Sequence, residues 1–368
     1  MSTTRFTSPN RNACIQLVIF LAFYIQAVCV AYLTPSGDVS VTIDHAKYSE
    51  DGTRVQLERR ELFTFNVVSL VYLFLLISAA QHSLQGLHFY LDPWSSKNYR
   101  RAFGVNWFRW SDYVITAPTM MVVVGIMNGV FDVVSLMSLF CAIQITIILG
   151  VLSDLCATSA RARLGDSSAD SLPPYDGKEA VRLARANFFV LWAWLIAIGA
   201  LVLYSRDEDL PTYTTVVAYW IVFYFAIVVW VTRDGGLRLS STFAKTGEEA
   251  RKRSRTLFYV AIVPCAYAWT VVFVTFAYAL DASEGNPPDF VYSINVVLLV
   301  LFLGPFPYVH YASLREQGSD DPAANESLKL RCEAAHAAFG LLSKSALAWM
   351  VYWGLRRLQE DVTISTGE

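Results

Sequence analysis

The chain has 368 residues, of which 55% are hydrophobic and 16% are charged, and its mean hydropathy is +0.40. The formal net charge of −2 gives no reason to expect a nucleic-acid partner. The apolar residues lie in long uncharged blocks between polar segments, a pattern typical of membrane proteins and not of soluble domains. The six cysteines show no CxxC spacing, and we interpret them as small buried hydrophobic residues.

Nine apolar blocks are long enough to cross a hydrocarbon core of about 30 Å, which takes about 20 helical residues. Each should be helical, because a helix satisfies its own backbone hydrogen bonds in lipid. The predicted fold class is therefore an all-α membrane protein. Its spans are predicted at residues 14–33, 62–83, 107–128, 131–152, 186–204, 213–232, 257–280, 290–312 and 334–355.

The connections between the spans also carry information. Only a couple of residues join the third span to the fourth, so these two should form a tight helical hairpin. With the N-terminus in the cytoplasm, the inner segments hold 20 Lys and Arg residues and the outer segments hold seven. Cytoplasmic loops are rich in Lys and Arg, so we predict this orientation, and nine spans then put the C-terminus outside.

Two cations remain, Arg109 and Lys344, and they are the only ones within predicted spans. An ionisable side chain at the bilayer centre costs roughly 2.5–3.5 kcal/mol on insertion scales. Lys344, near the middle of the ninth span, therefore needs a counter-charge or a chemical role. Asp112 is the only carboxylate well inside a predicted span. Helical side chains lean toward the N-terminus of their helix, which brings Lys344 toward the level of Asp112.

Neighbours of Asp112 on the third span should influence it. Arg109 precedes it by one turn and shares its helix face, so we expect the arginine to favour the charged carboxylate. Thr116, one turn later, should hydrogen-bond within the helix or to the acid. A lysine in an apolar setting with a charge partner can form a Schiff base. The spacing alone also fits an ion pair that only joins two helices, or a proton-coupled transport site.

Several segments carry a resemblance to a known family. Arg109–Tyr113 (RWSDY) resembles the third-helix motif of microbial rhodopsins, in which an arginine and an aromatic residue precede the Schiff-base counterion. Leu341–Trp349 (LLSKSALAW) is similar to the last helix of heliorhodopsins, which carries the retinal lysine. The chain thus resembles a heliorhodopsin over roughly 14–155 and 255–355. Further similarities are Glu61–Phe63 and Ser78–His82 in the second span, and Pro288–Tyr292 at the start of the penultimate helix.

The resemblance implies a light-absorbing protein with all-trans retinal bound to Lys344 as a protonated Schiff base and Asp112 as counterion. Arg109 and Thr116 would complete the surroundings of the counterion. The aromatic residues that could lie near the chromophore are Tyr113, Trp269, Phe302 and Phe306. The implied polar network consists of His82, Ser343 and Glu333.

Departures from the family concern both the site and the number of spans. Heliorhodopsins usually carry glutamate where Asp112 stands, and a serine where Gly340 stands. Phe23 replaces the histidine expected to partner His82. The family has seven spans, so we interpret 186–204 and 213–232 as an inserted pair.

The expected organisation follows from this interpretation, with a long outer loop at 34–61. It comprises a cytoplasmic N-terminus (1–13), rhodopsin-type helices (14–155), the inserted pair with its cytoplasmic loops (156–254), the remaining helices with the retinal lysine (255–357) and a tail (358–368) that is expected to be disordered from Gln359.

The functional prediction is a photosensory receptor. Microbial outward proton pumps carry an acid eleven residues beyond the counterion, and Val123 occupies that position here. The alternatives are a light-gated channel or weak proton or ion transporter, and a non-photochemical transporter that uses the Lys–Asp pair. An enzyme is not expected, because no nucleophile–base set or metal-ligand cluster is visible. The expected partners are retinal, the lipid bilayer of the plasma membrane, a second copy of the chain in a homodimer, and a cytoplasmic signalling protein.

Overall fold

The computed structural model describes residues 9–35, 37–48, 55–91, 106–163, 247–282, 289–316 and 322–366. The predicted spans 186–204 and 213–232 lie outside the described residues. The strands are β1 (Asp38–Tyr48) and β2 (Val55–Asn66). The helices are α1 (Pro9–Leu33), α2 (Val67–Leu91), α3 (Trp107–Met127), α4 (Val133–Arg163), α5 (Gly247–Ala282), α6 (Asp289–Leu303), α7 (Pro305–Glu316) and α8 (Pro322–Thr366).

The described part of the chain contains six helical stretches that are long and apolar enough to cross a membrane. This confirms the prediction of a helical membrane protein. Helix α8, which carries Lys344, runs beside α1, α6 and α7, while α1 packs on α2 and α4 packs on α5. The six stretches are Ala13–Leu33, Val67–Leu87, Phe108–Met127, Val133–Ala157, Glu248–Asp281 and Asp289–Leu314.

The segment predicted as a long outer loop forms an antiparallel β-hairpin, which the prediction of an all-α protein did not include. Strand β1 pairs with β2 from Asp38 opposite Asn66 to Tyr48 opposite Val55. Residues 61–63, predicted to begin the second span, therefore lie in β2. Helix α2 begins only at Val67, because the Asn66 side chain caps it: its Oδ1 accepts a hydrogen bond from the backbone N of Val68 at 2.9 Å.

The predicted tight hairpin between the third and fourth spans is confirmed. Helix α3 ends at Met127, and Gly129 follows with a φ of +87°, a conformation that favours glycine at a helix C-terminus. The turn also anchors the β-hairpin, since the backbone N of Thr42 donates to the carbonyl of Phe131 at 2.9 Å. One end of the helix bundle is thus closed by the turn and the β-hairpin together.

Two predicted helix boundaries differ from the structure. The span predicted at 290–312 is divided at Gly304, and Pro305 begins the next helix, α7, where its missing N–H costs nothing. Helix α8 continues through Thr366, so the disorder predicted from Gln359 onward is wrong for residues 359–366.

Candidate functional site

The amine of Lys344 lies between α8, α3 and α2. Its Nζ donates to Oδ2 of Asp112 at 2.5 Å and to Oγ of Ser78 at 2.5 Å. Ser78 in turn donates to Oδ1 of Asp112 at 2.8 Å. The Lys344 and Asp112 residues are each only 3% exposed. A buried charge is tolerated when it is paired and hydrogen-bonded, and this triangle supplies both conditions.

Local sequence holds this ion pair in place. The hydroxyl of Thr116 donates to the backbone carbonyl of Asp112 at 2.9 Å, as the within-helix alternative predicted. The aromatic rings of Phe23 and Tyr113 each have their centre 5.6 Å from the Lys344 Nζ. The negative faces of such rings favour a nearby cation. The amine is therefore enclosed by one carboxylate, one hydroxyl and two aromatic rings.

A polar cavity begins at Asp112 and extends toward the end of the bundle opposite the β-hairpin. His82 Nδ1 and Gln16 Oε1 are 2.5 Å apart in its wall, and the His82 ring stacks on Phe23 with 5.5 Å between centroids. Phe23, predicted to replace a histidine partner, thus contacts His82 through its ring, and Gln16 takes over the polar contact. The cavity is lined by Gln16, Gln81, His82, Gln85, Asn106, Phe108, Arg109, Asp112, Tyr113, Glu333, His336, Ala337 and Gly340.

That Arg109 favours the charged form of Asp112 stays a prediction, and the ion pairs of Arg109 are made with two other carboxylates. Its guanidinium donates to Oδ2 of Asp154 at 2.7 Å and to Oε1 of Glu333 at 2.8 Å. Arg109 and Asp154 side chains are 9% and 8% exposed, and that of Glu333 is 15% exposed. Asn106, the N-cap of α3, also donates to Glu333 at 2.6 Å. Arg109 therefore ties α3 to α4 and α8, and Asp112 is left to Lys344.

Sequence reasoning missed Asp154, because it lies just beyond the fourth apolar block and was assigned to a loop. Helix α4 continues to Arg163, so the Asp154 side chain is held inside the bundle. The indole Nε1 of Trp110 donates to its Oδ2 at 2.9 Å. Gly150, one turn earlier on α4, makes room for that indole, since a Cβ there would lie 2.7 Å from a Trp110 ring carbon. The sequence signal that could have indicated a buried Asp154 is its position one helical turn after Gly150.

The remaining predicted residues are distributed around the cavity. The rings of Phe306 and Tyr113 form a T-shaped contact with 5.7 Å between their centroids. Ser343 is buried and donates back to the Gly340 carbonyl at 3.3 Å, away from the polar network. Trp269 is 3% exposed, and its ring stacks on a neighbouring phenylalanine within the apolar core. The side chain of Phe302 lies outside the described residues.

Two buried histidines, also missed from sequence, complete the polar half of the bundle. His310 on α7 and His336 on α8 have ring centroids 6.4 Å apart. The hydroxyl of Tyr113 donates to the backbone carbonyl of His336 at 3.0 Å. Among the described residues, no group of three or more His, Cys, Asp and Glu side chains is arranged to hold a metal ion.

Comparison with known proteins identifies the relatives of this chain. A family model described as Heliorhodopsin matches residues 14–235 and 236–355, a match that includes both Asp112 and Lys344. No curated protein matches the chain.

Proposed function

The chain belongs to the heliorhodopsin family, and on this premise we propose that it is a photosensory protein that binds all-trans retinal on Lys344. The family implies a retinal chromophore within a seven-helix membrane bundle. In our proposal Asp112 is the counterion of the protonated Schiff base. The observation that carries the proposal is the Lys344 amine, which is buried, held by Asp112 and Ser78, and enclosed by aromatic rings.

The residues around the amine fit such a chromophore. Lys344 is followed on α8 by Leu347 and Ala348, which belong to one apolar core cluster with Met120 and Trp269. The indole Nε1 of Trp269 is buried without a hydrogen-bond partner. A lysine that joins a polyene aldehyde needs an apolar enclosure and one nearby carboxylate. These surroundings meet both needs.

When bound, retinal supplies the absorption of visible light and a change of shape about a double bond. Asp112 would hold the positive charge at the Lys344 nitrogen, and Ser78 would fix the carboxylate through its hydroxyl. The carboxylate is preorganised for this role, because Ser78 bonds one of its oxygens and Thr116 bonds the carbonyl of the same residue. A change in the distance between amine and carboxylate then alters a buried charge interaction, which can drive a helix rearrangement.

We further propose nine spans, with the N-terminus in the cytoplasm and 186–204 and 213–232 as an inserted pair. The excess of cations on one set of loops supports this orientation. The polar cavity would then face the cytoplasm and the β-hairpin would face outward. A cytoplasmic signalling partner, a homodimer and a plasma-membrane location remain part of the proposal.

A sensor is favoured over a transporter because, in the part of the chain that the structure describes, the polar cavity extends from Asp112 toward Asn106 only. Beyond Asp112, helix α3 continues with Met120, Val123 and Val124, which are buried and apolar. Light-driven proton or ion transport is the second candidate, and the cavity between Asp112 and Asn106 favours it. Photocurrents from a voltage-clamped cell distinguish them: reproducible light-evoked current would contradict the sensor-only function.

The direct test is to add all-trans retinal to the purified protein and record the visible spectrum. We expect a visible absorption band in the wild type. Lys344→Ala should lose the band, because it removes the one amine that the described residues place in the site. Asp112→Asn should shift it, because the charge near the Lys344 nitrogen changes. Lys252→Ala, which changes an exposed lysine on α5, is the matched control and should leave the band unchanged.

The outcomes separate the roles of the two residues. A wild-type protein that stays colourless with retinal would contradict the whole proposal. A band that survives Lys344→Ala would place the chromophore elsewhere. A band unmoved by Asp112→Asn would reject Asp112 as the counterion while leaving Lys344 as the attachment site.

A further inference from the structure

Tyr113 follows the proposed counterion on α3, and its side chain reaches across to α8. Its hydroxyl donates to the backbone carbonyl of His336 at 3.0 Å, and the centre of its ring lies 5.6 Å from the Lys344 Nζ. The function proposed above uses only the ring. We propose that Tyr113 is a positioning residue whose anchored ring holds Lys344 at Asp112 and shields the amine from the polar cavity; this inference rests on the proposed function.

The contacts between α3 and α8 follow one another along both helices. Arg109 binds Glu333 near the end of the bundle opposite the β-hairpin, and Asp112 binds Lys344 further in. The carbonyl that Tyr113 binds lies between Glu333 and Lys344 along α8. Tyr113 therefore fixes the spacing of the two helices just before the ion pair.

A backbone carbonyl is a firm anchor for this hydroxyl. In an α-helix the carbonyl of His336 accepts a hydrogen bond from the backbone N of Gly340, and its second lone pair remains for Tyr113. A side-chain acceptor can change its rotamer, whereas this oxygen moves only with α8 itself. The ring also makes T-shaped contacts with Trp110 and Phe306, at 6.3 and 5.7 Å between centroids. Residues of α3, α7 and α8 thus set its orientation together.

The Tyr113 ring covers part of the amine that no oxygen binds in the described contacts. A lysine amine has three N–H groups, and two hydrogen bonds run from this amine to Asp112 and Ser78. The rings of Phe23 and Tyr113 lie beside it, each with its centre at 5.6 Å. Such rings favour a nearby cation and exclude water from it. Among the described contacts, the amine is therefore enclosed by aromatic rings where a carboxylate or a hydroxyl does not bind it.

Gly340 makes the Tyr113 ring the barrier on the α8 side of the cavity. Both residues line the cavity together with Asp112 and His336. A Cβ placed at Gly340 would have Tyr113 as its neighbour, with the hydroxyl at 3.5 Å and Cε1 at 3.9 Å. Glycine brings no side chain that could close this space, so the ring alone fills it there. If the ring turned away, the cavity would extend toward Lys344, one helical turn further along α8.

Tyr113→Phe separates the anchor from the ring. The variant loses the hydrogen bond to α8 but keeps the aromatic contacts with Trp110 and Phe306, so its fold should be retained. A ring that served only for packing would be unaffected by this change. In our proposal the unanchored ring turns away from α8 for part of the time, which admits water to the Lys344 amine and loosens its contact with Asp112.

The first readout uses the full chain without retinal. The purified protein is treated briefly with formaldehyde and a mild borane reductant, and mass spectrometry compares methylation of Lys344 with that of the exposed Lys252. We expect slow methylation of Lys344 in the wild type. The rate should increase about threefold to tenfold in Tyr113→Phe, the range that the loss of one hydrogen bond supports. The matched control is Tyr267→Phe, which removes a hydroxyl that donates to Ser138 between α5 and α4 at 3.2 Å and should leave the rate unchanged.

A change at Gly340 provides the rescue. A methyl group at this position would be in ordinary contact with Tyr113, so Gly340→Ala alone should fold and keep Lys344 protected. In the double variant Tyr113→Phe/Gly340→Ala, the methyl group should fill part of the space that the hydroxyl leaves. Methylation of Lys344 should then return part of the way to the wild-type rate.

The second readout uses the protein with all-trans retinal. Resonance Raman spectra show how far the C=N stretch moves when D2O replaces H2O, and this shift grows with the strength of the hydrogen bond from the Lys344 nitrogen. We expect a smaller shift in Tyr113→Phe than in the wild type, and faster bleaching by hydroxylamine in the dark. Tyr267→Phe should match the wild type in both measurements. A purely structural defect would reduce the amount of coloured protein without changing its Raman shift.

The two readouts separate this inference from the function on which it rests. If every protein stays colourless with retinal, the proposed function fails, and the methylation rates still test the barrier. Equal methylation of Lys344 in the wild type and Tyr113→Phe, or an equal increase in Tyr267→Phe, would contradict the role of Tyr113. An unchanged Raman shift in coloured Tyr113→Phe would contradict it as well and leave the retinal site standing.

Discussion

The two halves of the bundle, divided at the level of Lys344 and Asp112, differ in what they bury. The polar half, on the side of the cavity, contains Arg109 with its two carboxylates and the histidine pair. The apolar half, toward the β-hairpin, is filled by side chains such as Met120 and Leu139. Its buried polar contacts include the Asn295–Asn128 hydrogen bond of 2.6 Å. Among the described residues, apolar packing thus fills one half of the bundle, and buried ionisable groups collect in the other half.

The largest effect is expected where the two halves meet. Lys344→Met in the retinal-free protein leaves Asp112 buried and charged with only Ser78 as a donor. Removing one partner of a buried ion pair typically costs about 3–5 kcal/mol. Unfolding in mixed detergent micelles should show a loss of this size in the free energy of unfolding.

The double variant Lys344→Met/Asp112→Leu is the control for this prediction. Apolar replacement of a whole buried pair is often neutral or stabilising by about 1–4 kcal/mol, so most of the lost stability should return. Equal losses in the single and double variants would mean that packing, and not charge, accounts for the effect.

Arg109→Gln tests the polar half alone. It leaves Asp154 and Glu333 without their shared cation, and we expect a cost near the lower end of about 3–5 kcal/mol, because Glu333 is partly exposed. Since Arg109 contacts neither Asp112 nor Lys344, the visible band with retinal should move less than in Asp112→Asn.

Arg109→Lys accompanies this variant as its control. It keeps the charge but loses the planar fork that reaches both carboxylates, so it should recover only part of the stability. A band shift in Arg109→Gln as large as that of Asp112→Asn would show that the two halves of the polar network are not separate.

Asn295→Ala tests the apolar half and should have a smaller effect. Interhelical hydrogen bonds within membranes contribute about 0.6 kcal/mol on average and at most about 1.7 kcal/mol. The same unfolding assay should show a loss in this range and an unchanged visible band. Val296→Ala, at a neighbouring side chain that is 62% exposed, should change neither. If Asn295→Ala lowered the free energy of unfolding as much as Lys344→Met does, the proposed difference between the two halves would be contradicted.

The polar half was also harder to predict from sequence, for a physical reason. Lys344 and Asp112 stand out because each interrupts an apolar block. Asp154 and the two histidines lie at the ends of such blocks, where composition alone does not separate a buried helix end from a loop. Their burial depends on contacts with other helices, and these contacts cannot be predicted from the sequence of one segment.

The β-hairpin was missed although its signal was present. Val39, Val41 and Ile43 alternate with polar residues, a period of two that indicates a strand. The break at Gly304 was likewise visible as a Gly-Pro pair within an apolar block. In both cases the prediction followed the length of the apolar block and not the local residue pattern. Helix boundaries were therefore the least accurate part of the sequence prediction.

The smallest effect is expected outside both halves, on the exposed face of the β-hairpin. Thr64 and Ser40 donate to the Glu61 carboxylate at 2.6 and 3.0 Å, and these bonds hold the pKa of Glu61 below its usual 4.5. A lowered pKa means that the contribution is present at neutral pH and is lost as the pH falls below about 4.5 through the folded-state value. Protection factors of the strand amides should therefore decrease slightly on acidification in the wild type and not in Glu61→Gln.

Because Glu61 faces water and lies far along the chain from the Lys344 ion pair, neither the variant nor the acidification of this group should move the visible band. Identical acid profiles for the two proteins would mean that the β-hairpin is held by its backbone pairing and its contact with the turn between α3 and α4 alone.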